Sequence, residues 1–497
     1  MTDRAGTTEP PCPDLSDHCD LSDLSHASEL SLATATELLA GYRDGTIDPV
    51  DATRAALAAI AAHDGQVNAF VLVDEAGALE QAEASRERWR AGAPLGPADG
   101  VPTSIKDILL TRGAPTLRGS TLVDADGPWP DDAPCVARLR ECGAVFIGKN
   151  TLPEFAWKGV TDSARHGVTG NPWGAQLTAG GSSGGAATAV GLGMGAWSVG
   201  TDGGGSVRIP ASFTGTVALK PTYGRIPLYP PSAYGTLSHA GPMTRTVADA
   251  ALMMDVLTRP DPRDWSALPS PGSHLSGLAD GVRGLRIAYS PTLGYGSNDP
   301  QVQAALDAAA GVFERLGARV ELVDPGWPDP VEAFHTLWFT AAGIVVGGFG
   351  AGALDRVDPL LAREIRRYAD ASAADYLRAT AVRMAMGSAM GVFHETYDLL
   401  LTPTMPIPAF AAGQDAPGGW HSELWTSWTP YTYPFNMTQQ PALSVPAGFT
   451  DDERPIGLQL VGARHADALV LRAGAAYEAA TDWHTRTPTL LRRRSTP

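Results

Sequence analysis

A chain of 497 residues, 44% hydrophobic and 18% charged, has the composition of a globular protein and can bury a large core. Its formal net charge of -17 argues against a general binder of nucleic acids or anionic membranes, because such binders need basic surfaces. No apolar run approaches the roughly 18 residues of a membrane-spanning helix, and the first residues lack the apolar core of a secretion signal. We therefore expect a cytoplasmic protein with no membrane partner and no nucleic-acid partner.

The beginning of the chain differs in composition from the remainder. Residues 1–28 are acidic, contain Ser and Pro, and are poor in bulky apolar groups, which predicts a mobile acidic tail. Cys12, His18 and Cys19 could be metal ligands, but no second ligand pair follows at a spacing typical of zinc sites. We expect ordinary thiols, no metal, and a single domain over residues 29–497.

Helix and strand signals alternate along that domain. "IDPVDATRAALAAIAAH" predicts a helix capped by Asp48 with Pro49 at its first position. "VPTSIKDILL" is typical of a buried strand, and "CVARLRECGAVFIGKN" predicts a helix that stops at Gly143 and a following strand. Residues 330–395 look helical, and strand-like "YDLLLTPT", "PALSVPAGF" and "PIGLQLVG" precede a last helix. This alternation predicts an α/β fold with a mixed, largely parallel central sheet covered by helices on both faces.

The Gly-rich stretch "LTAGGSSGGAATAVGLGMGAWSVGTDGGGSVRIPASFTG", residues 177–215, has several interpretations. A phosphate loop would need G-x-x-x-x-G-K-[ST], which is missing. A dinucleotide fingerprint should follow a strand, and "NPWGAQLTA" is a poor strand. The nucleophile-elbow pattern G-x-S-x-G fits around both Ser182 and Ser183, but it also requires a preceding strand and a later acid and histidine. The glycines could also simply permit close packing.

Two features favour chemistry over packing alone. A second cluster, "GTDGGGSVRIPAS", follows the first across a helix of small residues. Three glycines before Ser206 leave several N–H groups unobstructed by side chains, which an oxyanion hole requires.

These two clusters, together with several other stretches, resemble the amidase signature family of serine hydrolases. The resemblance rests on "DGVPTSIKD" (99–107), "GGSSGGAATAV" (180–190), "GTDGGGSVRIPASFTGTVALKPTYGR" (200–225), "GPMTRTVADAALMMDVL" (241–257), "LLTPTMPIPA" (400–409) and "PFNMTQQPALSVPAGF" with "PIGLQLVG" (434–462). It spans about residues 30–490, and it implies the amidase signature fold for the predicted domain.

The resemblance also implies a Ser-cisSer-Lys triad. Carried over by motif, Ser206 is the nucleophile, Ser182 is the bridging serine in a cis peptide, and Lys106 is the base. Ser183 fits an elbow pattern but is not the bridging position of the family. Lys106 must be neutral to accept a proton, and burial would lower its pKa because desolvation disfavours the charged form.

The remaining implied site residues surround the nucleophile. The oxyanion hole consists of the N–H groups of Gly203, Gly204, Gly205 and Ser206, and the supporting shell consists of Thr201, Asp202 and Arg208. We expect Asp202 and Arg208 to pair and fix the loop. Asp107 should point away from Lys106 and have a structural role, since neighbouring side chains of a strand face opposite ways. Gly203 stands where the family usually has a larger side chain, which predicts a roomier or more mobile oxyanion loop.

The substrate pocket is expected within residues 330–435. "WHSELWTSWTPYTYPF" is dense in aromatic residues, which favours an aromatic wall built by Trp425, Trp428 and Tyr431 together with Trp338. The alternative is that these rings belong to the core or to a dimer contact. An aromatic wall would suit aryl amides or aryl carbamates.

The sequence thus predicts a stand-alone amidase that hydrolyses the C–N bond of a small amide with no metal or organic cofactor. Its expected partner is a small-molecule amide, and the sequence leaves the question of a homodimer undecided. The same triad would serve a carbamate, urea-type or ester hydrolase. A further alternative is the catalytic subunit of a glutamine-dependent tRNA amidotransferase, although the acidic charge and acidic tail argue against it.

Overall fold

The computed structural model describes residues 29–483 and 486–492. The predicted acidic tail, together with Cys12, His18 and Cys19, lies outside these described residues. Within them, no helix is both long enough and apolar enough to cross a bilayer.

Eleven strands of the described chain form one central sheet in the order β1-β3-β2-β8-β10-β9-β14-β15-β13-β11-β12. Two small sheets, β4-β5 and β6-β7, lie outside it. The strands are β1 Phe70–Val73, β2 Pro102–Lys106, β3 Val145–Asn150, β4 Asp162–Ser163, β5 Gly167–Val168, β6 Gly170–Asn171, β7 Gly174–Thr178, β8 Trp197–Asp202, β9 Val217–Lys220, β10 His239–Thr244, β11 Arg286–Tyr289, β12 Arg319–Leu322, β13 Leu399–Pro403, β14 Ala442–Phe449 and β15 Pro455–Gly462.

The sheet is mixed, which confirms the predicted α/β class. Strand β2 is parallel to β3 and β8, and β11 is parallel to β12 and β13. The centre, from β8 through β10, β9, β14 and β15 to β13, is antiparallel. The sheet is more antiparallel than the alternation of helices and strands implies. One reason is that β14 and β15 are joined as a hairpin, which requires antiparallel pairing.

Helices pack around this sheet and bury its apolar side chains. They are α1 Ala35–Asp44, α2 Pro49–Val67, α3 Glu75–Arg90, α4 Pro134–Glu141, α5 Gly184–Gly191, α6 Arg208–Thr214, α7 Val247–Leu257, α8 Pro300–Arg315, α9 Val331–Gly347, α10 Pro359–Arg367, α11 Ala373–Phe393, α12 Pro434–Met437, α13 Asp467–Ala479 and α14 Thr489–Arg492. Single 3-10 turns occur at Glu154–Ala156, Gly235–Leu237, Ala353–Asp355 and Trp425–Trp428.

Local sequence explains where helix α2 begins and ends. The Asp48 side chain accepts the N–H of Val50 at 2.8 Å, Pro49 opens α2, and Asn68 ends it with a left-handed φ of 52°. This satisfies donors that the first helical turn leaves without partners, and it confirms the predicted cap. "GAQLT", which we expected to be a poor strand, forms β7 by pairing with β6 outside the main sheet.

The glycine-rich centre places backbone segments very close together. Helix α5 is buried along its whole length, and a Cβ at Gly185 would lie 2.6 Å from the carbonyl oxygen of Ala69. The packing interpretation of these glycines is therefore correct for α5. Strands β2 and β8 are parallel neighbours, so their carboxyl ends, at Lys106 and Asp202, meet at one edge of the sheet.

Candidate active site

Lys106 is the last residue of β2, and its side-chain amino group lies inside the protein. The residue is fully buried, and its Nζ is 2.7 Å from Ser182 Oγ, 2.8 Å from Ser183 Oγ and 2.9 Å from Thr201 Oγ1. Burial lowers the pKa of Lys106 well below its usual range, and the charge of Asp202 opposes this only in part. The buried lysine thus contacts three hydroxyls and no carboxylate among the described residues.

The bonds of Ser183 indicate how the protons around Lys106 are arranged. Ser183 Oγ donates to the carbonyl oxygen of Thr201 at 3.1 Å, so its single proton is used there. Its contact with Lys106 must then be one in which the amine donates. Ser183, which the family pattern does not include in the triad, therefore helps to hold the amine.

Ser182 and Ser206 lie on two segments that meet beside Lys106. The peptide between Gly181 and Ser182 is cis, and Ser182 is fully buried. The N–H of Ser183 donates to the carbonyl oxygen of Ser206 at 3.1 Å, which brings the two segments together. The Ser206 hydroxyl makes no hydrogen bond to any residue within 29–483 or 486–492. The structure thus joins Lys106 to Ser182 directly and places the backbone of Ser206 next to them.

The loop after β8 presents backbone N–H groups. Within the described chain, the N–H groups of Gly203, Gly204 and Ser206 have no acceptor. The N–H of Gly205 differs, because it donates to Asp202 Oδ1 at 2.8 Å. Three of the four predicted oxyanion donors are therefore available, and Gly205 has a different partner.

A buried ion pair supports this loop. Arg208 and Asp202 are both fully buried and form two hydrogen bonds of 2.9 Å, so the pairing predicted from sequence is present. Burial alone would raise the pKa of Asp202, but Arg208 lowers it below its usual range. Arg208 also donates to Asn436 Oδ1 and Gln459 Oε1, each at 2.7 Å. Buried charges of this kind stabilise only when all their hydrogen bonds are made, as they are here.

Asn436 and Gln459 were not singled out from the sequence. Both lie in the quoted stretches "PFNMTQQ" and "PIGLQLVG", which were a signal that these positions matter. Asn436 Nδ2 donates to Asp202 Oδ1 at 2.8 Å and to the Asp202 carbonyl oxygen at 3.0 Å. It therefore fixes the end of β8.

Asp107 has the structural role that we expected from its position in the strand. Its carboxylate lies 2.9 Å from the Nζ of Lys149 and accepts the N–H of Leu117 at 3.0 Å. It makes no ion pair with Lys106. The described residues contain no group of three or more His, Cys, Asp or Glu side chains placed to hold a metal ion.

The predicted aromatic pocket residues have two different positions. Trp338 and Trp425 pack against the oxyanion loop: a Cβ at Gly203 would lie 2.8 Å from Trp338 Cζ3. Trp428 and Tyr431 are fully buried in the core, where their polar atoms bond to Asp415 O and Asn298 Oδ1. The space beside Gly203, which we expected to be open, is thus occupied by the Trp338 ring.

A cavity of about 310 Å³ borders the site. Thr201, whose hydroxyl contacts Lys106, forms part of its wall. Further parts of the wall are Ile108 and Leu109 after β2, the segment 228–234, and the end of α9 with Phe349. The remaining lining residues are Arg118, Phe155, Ser238 and His239. The sequence "LYPPSAY" of 228–234 has no periodicity, so it gave no signal of this role apart from its aromatic and proline content.

The fold and this geometry can be compared with known proteins. The family model described as Amidase matches residues 51–471. The chain belongs to the amidase family. It is 39% identical over 471 residues to an acylamidase of Rhodococcus erythropolis, covering 92% of this chain and 97% of that protein. It is 38% identical over 494 residues to a subunit of the glutamyl-tRNA(Gln) amidotransferase of Myxococcus xanthus, covering 93% of this chain and 100% of that protein.

A solved structure supports the same family and fold. A bacterial aryl acylamidase of the amidase signature family superposes with a TM-score of 0.88 at 30% identity, covering 95% of this chain and 100% of that one. This family member is thus a hydrolase that acts on amides, as the sequence predicts.

The contact between Gly203 and Trp338 leads to a test in this amidase. Gly203→Ala should lower kcat by about ten- to a hundredfold, because the new methyl group displaces the N–H groups of the loop. The double variant Gly203→Ala with Trp338→Phe should recover part of the loss, since the smaller ring leaves room. Steady-state kinetics with one amide substrate measure both.

Gly65→Ala is the matched control, because nothing lies within 4 Å of a Cβ at that glycine. Its kcat should equal that of the wild type. A wild-type kcat for Gly203→Ala, or a double variant no faster than the single one, would contradict the packing argument.

Proposed function

We propose that residues 29–497 form one catalytic domain that works as a stand-alone amidase and hydrolyses the C–N bond of small, apolar or aryl amides through an acyl-enzyme on Ser206. The observation that best supports this is the buried Lys106, which contacts Ser182 at 2.7 Å and has a strongly lowered pKa. A neutral amine next to a hydroxyl is a competent base. The names of the acylamidase relatives support the amide class.

The resting state follows from counting protons around Lys106. A neutral amine has two N–H bonds and one lone pair. The N–H bonds go to Ser183 Oγ and Thr201 Oγ1, and the lone pair then accepts the proton of Ser182. Ser182 Oγ keeps its own lone pairs free to accept from Ser206 once the Ser206 hydroxyl turns toward it.

Attack on the amide moves two protons along this path. Ser206 Oγ bonds to the carbonyl carbon, its proton passes to Ser182, and the proton of Ser182 passes to Lys106. The carbonyl oxygen becomes an oxyanion that accepts the N–H groups of Gly203, Gly204 and Ser206. Gly205 does not belong to this set, because its N–H donates to Asp202 Oδ1. Each lost donor typically reduces kcat on the order of a hundredfold or more.

Collapse of the tetrahedral intermediate returns the proton. Protonated Lys106 gives its proton to Ser182, and Ser182 gives its own to the leaving nitrogen as the C–N bond breaks. The amine departs neutral and an ester remains on Ser206. Water then attacks this ester with the same proton path, which releases the carboxylic acid and restores the Ser206 hydroxyl.

A second function has specific support. The relative from Myxococcus xanthus is part of an amidotransferase, and its identity to this chain is close to that of the acylamidase. Such a role would require glutamine as the amide donor and further subunits. The same proton path would also cleave carbamates, urea-type compounds and esters, so the choice among these substrates needs a direct assay.

Replacing the proposed nucleophile should abolish turnover. Ser206→Ala should lower kcat/KM for an amide by at least about a thousandfold, because no acyl-enzyme can form. Mass spectrometry of the wild-type enzyme mixed with a slow aryl ester should show an acyl adduct on the peptide containing Ser206.

Ser212→Ala, in the next helix, is the matched control and should keep both the adduct and the rate. Circular dichroism and melting should show that Ser206→Ala is folded. A folded Ser206→Ala enzyme with near-normal turnover would overturn the assignment of the nucleophile.

The low-pH side of the activity profile should reflect the ionisation of the Lys106 side chain. The active form is the neutral amine, which is present above the lowered pKa of Lys106 and is lost as pH falls through it. Log kcat/KM should therefore rise with pH and level off well below the usual pKa of lysine. Lys106→Ala, assayed with an activated ester whose leaving group needs no proton, should lose this limb.

Glu478 supplies the control, because burial raises the pKa of its carboxyl to about 7 and it could mimic such a limb. Its carboxylate accepts the N–H of Val247 at 2.8 Å, away from Lys106. Glu478→Gln should leave the limb in place. A limb that survives in Lys106→Ala and disappears in Glu478→Gln would show that the base is misassigned.

A substrate panel separates the candidate functions. The isolated chain should hydrolyse anilides with a higher kcat/KM than it shows for the matching carbamates and esters. The rates for the carbamates and esters are first corrected for spontaneous hydrolysis. Glutamine should be neither hydrolysed nor needed, because it has no apolar or aryl body to pack against the largely apolar cavity wall. Glutaminase activity, or inactivity on all amides until partner subunits are added, would favour the amidotransferase.

A further inference from the structure

Arg118 lies in the segment that follows β2 and lines the cavity beside Thr201. Its backbone is anchored on both sides: its N–H donates to Asp107 O at 3.0 Å, and its carbonyl oxygen accepts the N–H of Phe155 at 2.8 Å. Its φ of 56° is in the left-handed region, which few residues other than glycine adopt. The backbone bonds therefore hold this arginine at one place in the cavity wall.

The guanidinium of Arg118 has no direct acceptor. It makes no hydrogen bond and no ion pair with any residue of the described chain. Asp107, the acid that acts on it electrostatically, already has Lys149 at 2.9 Å. Burial lowers the pKa of Arg118 and Asp107 partly offsets this, but an arginine remains protonated in proteins. A half-buried cation with five N–H donors is therefore left to a ligand.

Apart from Arg118, the described wall of the cavity is uncharged and largely apolar. Among the described residues that line the cavity, Arg118 is the sole Lys, Arg, Asp or Glu. The Phe155 and Phe349 rings pack at a tilt with their centres 5.4 Å apart, and Tyr234 and Leu109 add further apolar surface. An apolar cavity with a few polar groups is typical of a site for a small molecule whose polar ends are specified.

Two more polar groups of the wall are buried and have no partner in the described chain. They are the Tyr234 hydroxyl and Nε2 of His239. His239 Nδ1 faces the carbonyl oxygens of Leu237 and Asp202 at 2.9 and 3.2 Å, so the proton is on Nδ1 and Nε2 presents a lone pair. Burial keeps His239 neutral by lowering its pKa. A ligand anion would therefore be repelled at His239, while Arg118 and the Tyr234 hydroxyl offer donors.

We propose that Arg118 binds a carboxylate of the substrate, so that the preferred substrates are amides with an apolar or aryl body and a carboxylate away from the scissile bond. This inference rests on the proposed function and adds the substrate class to it. The planar guanidinium can form two parallel hydrogen bonds to a carboxylate, which a neutral carboxamide cannot reproduce. The apolar wall would bind the part of the substrate between the two polar ends.

The test uses pairs of anilides that differ only at one end of the acyl chain, with a carboxylate in one and a primary carboxamide in the other. Several spacer lengths are compared. For at least one length, the wild-type enzyme should show a kcat/KM about tenfold or more higher for the carboxylate. Arg118→Gln should bring this ratio close to one, a loss of about tenfold or more, and Arg118→Lys should keep an intermediate ratio.

Arg112→Gln is the matched control, because Arg112 is an exposed arginine of the same segment that does not line this cavity. It should keep the wild-type ratio. A ratio near one at every spacer length, or equal losses on both substrates in Arg118→Gln, would overturn the proposal.

A binding measurement separates this inference from the proposed function. In Ser206→Ala, which cannot turn substrate over, calorimetry should show the carboxylate anilide binding at least about tenfold more tightly than the carboxamide. Adding Arg118→Gln should remove the difference. If the enzyme hydrolyses neutral anilides and shows no preference for the carboxylate, the proposed amidase function stands and the proposed role of Arg118 is refuted. If the carboxylate anilide binds more tightly but no amide is hydrolysed, the proposed amidase function alone is refuted.

Discussion

The burial of Lys106 without a carboxylate in contact is the constraint on which the site depends. Lys158 shows the contrast: it is also buried, but Asp162, Asp358 and Asp415 lie within 3.1 Å, and despite burial these carboxylates raise its pKa. Lys106 contacts only hydroxyls, so desolvation dominates and its pKa falls. The same residue type thus has a raised pKa in one place and a lowered pKa in the other, and the lowered pKa is what the proposed role of Lys106 as a base requires.

The Asp202–Arg208 pair acts both near Lys106 and on the loop after β8. Burial lowers the pKa of Lys106 and the charge of Asp202 opposes that shift, while Arg208 pairs with the same Asp202 carboxylate through two hydrogen bonds. The same carboxylate accepts the N–H groups of Gly205 and Val207, which sets the curve of the oxyanion loop. One buried ion pair therefore shapes the loop and contains the carboxylate whose charge acts on the lysine.

Local patterns predicted much of the fold, and long motifs gave the positions of the proposed triad, because both kinds of signal consist of contiguous residues. Helix α2 follows directly from its cap and apolar face, and the strand expected at "VPTSIKDILL" forms only over Pro102–Lys106. The antiparallel centre of the sheet did not follow, since strand partners are chosen by contacts far apart in sequence. The same holds for the pocket: Trp428 and Tyr431 have the composition of a binding wall, but their burial in the core depends on the whole fold. The unpaired state of Arg118 is likewise visible only once its neighbours are known.

The aromatic residues connect the loop to the cavity. Trp338 packs against Gly203, and the ring of Tyr234 stacks on Trp338 with centres 4.0 Å apart. Tyr234 lines the cavity, so one stack of rings runs from the cavity wall to the oxyanion loop. The glycine at 203 is required by this stack, because a larger residue would occupy the volume of the Trp338 ring. In a close-packed interior a shift of either ring moves the other, so this stack links the shape of the cavity wall to the position of the proposed oxyanion donors.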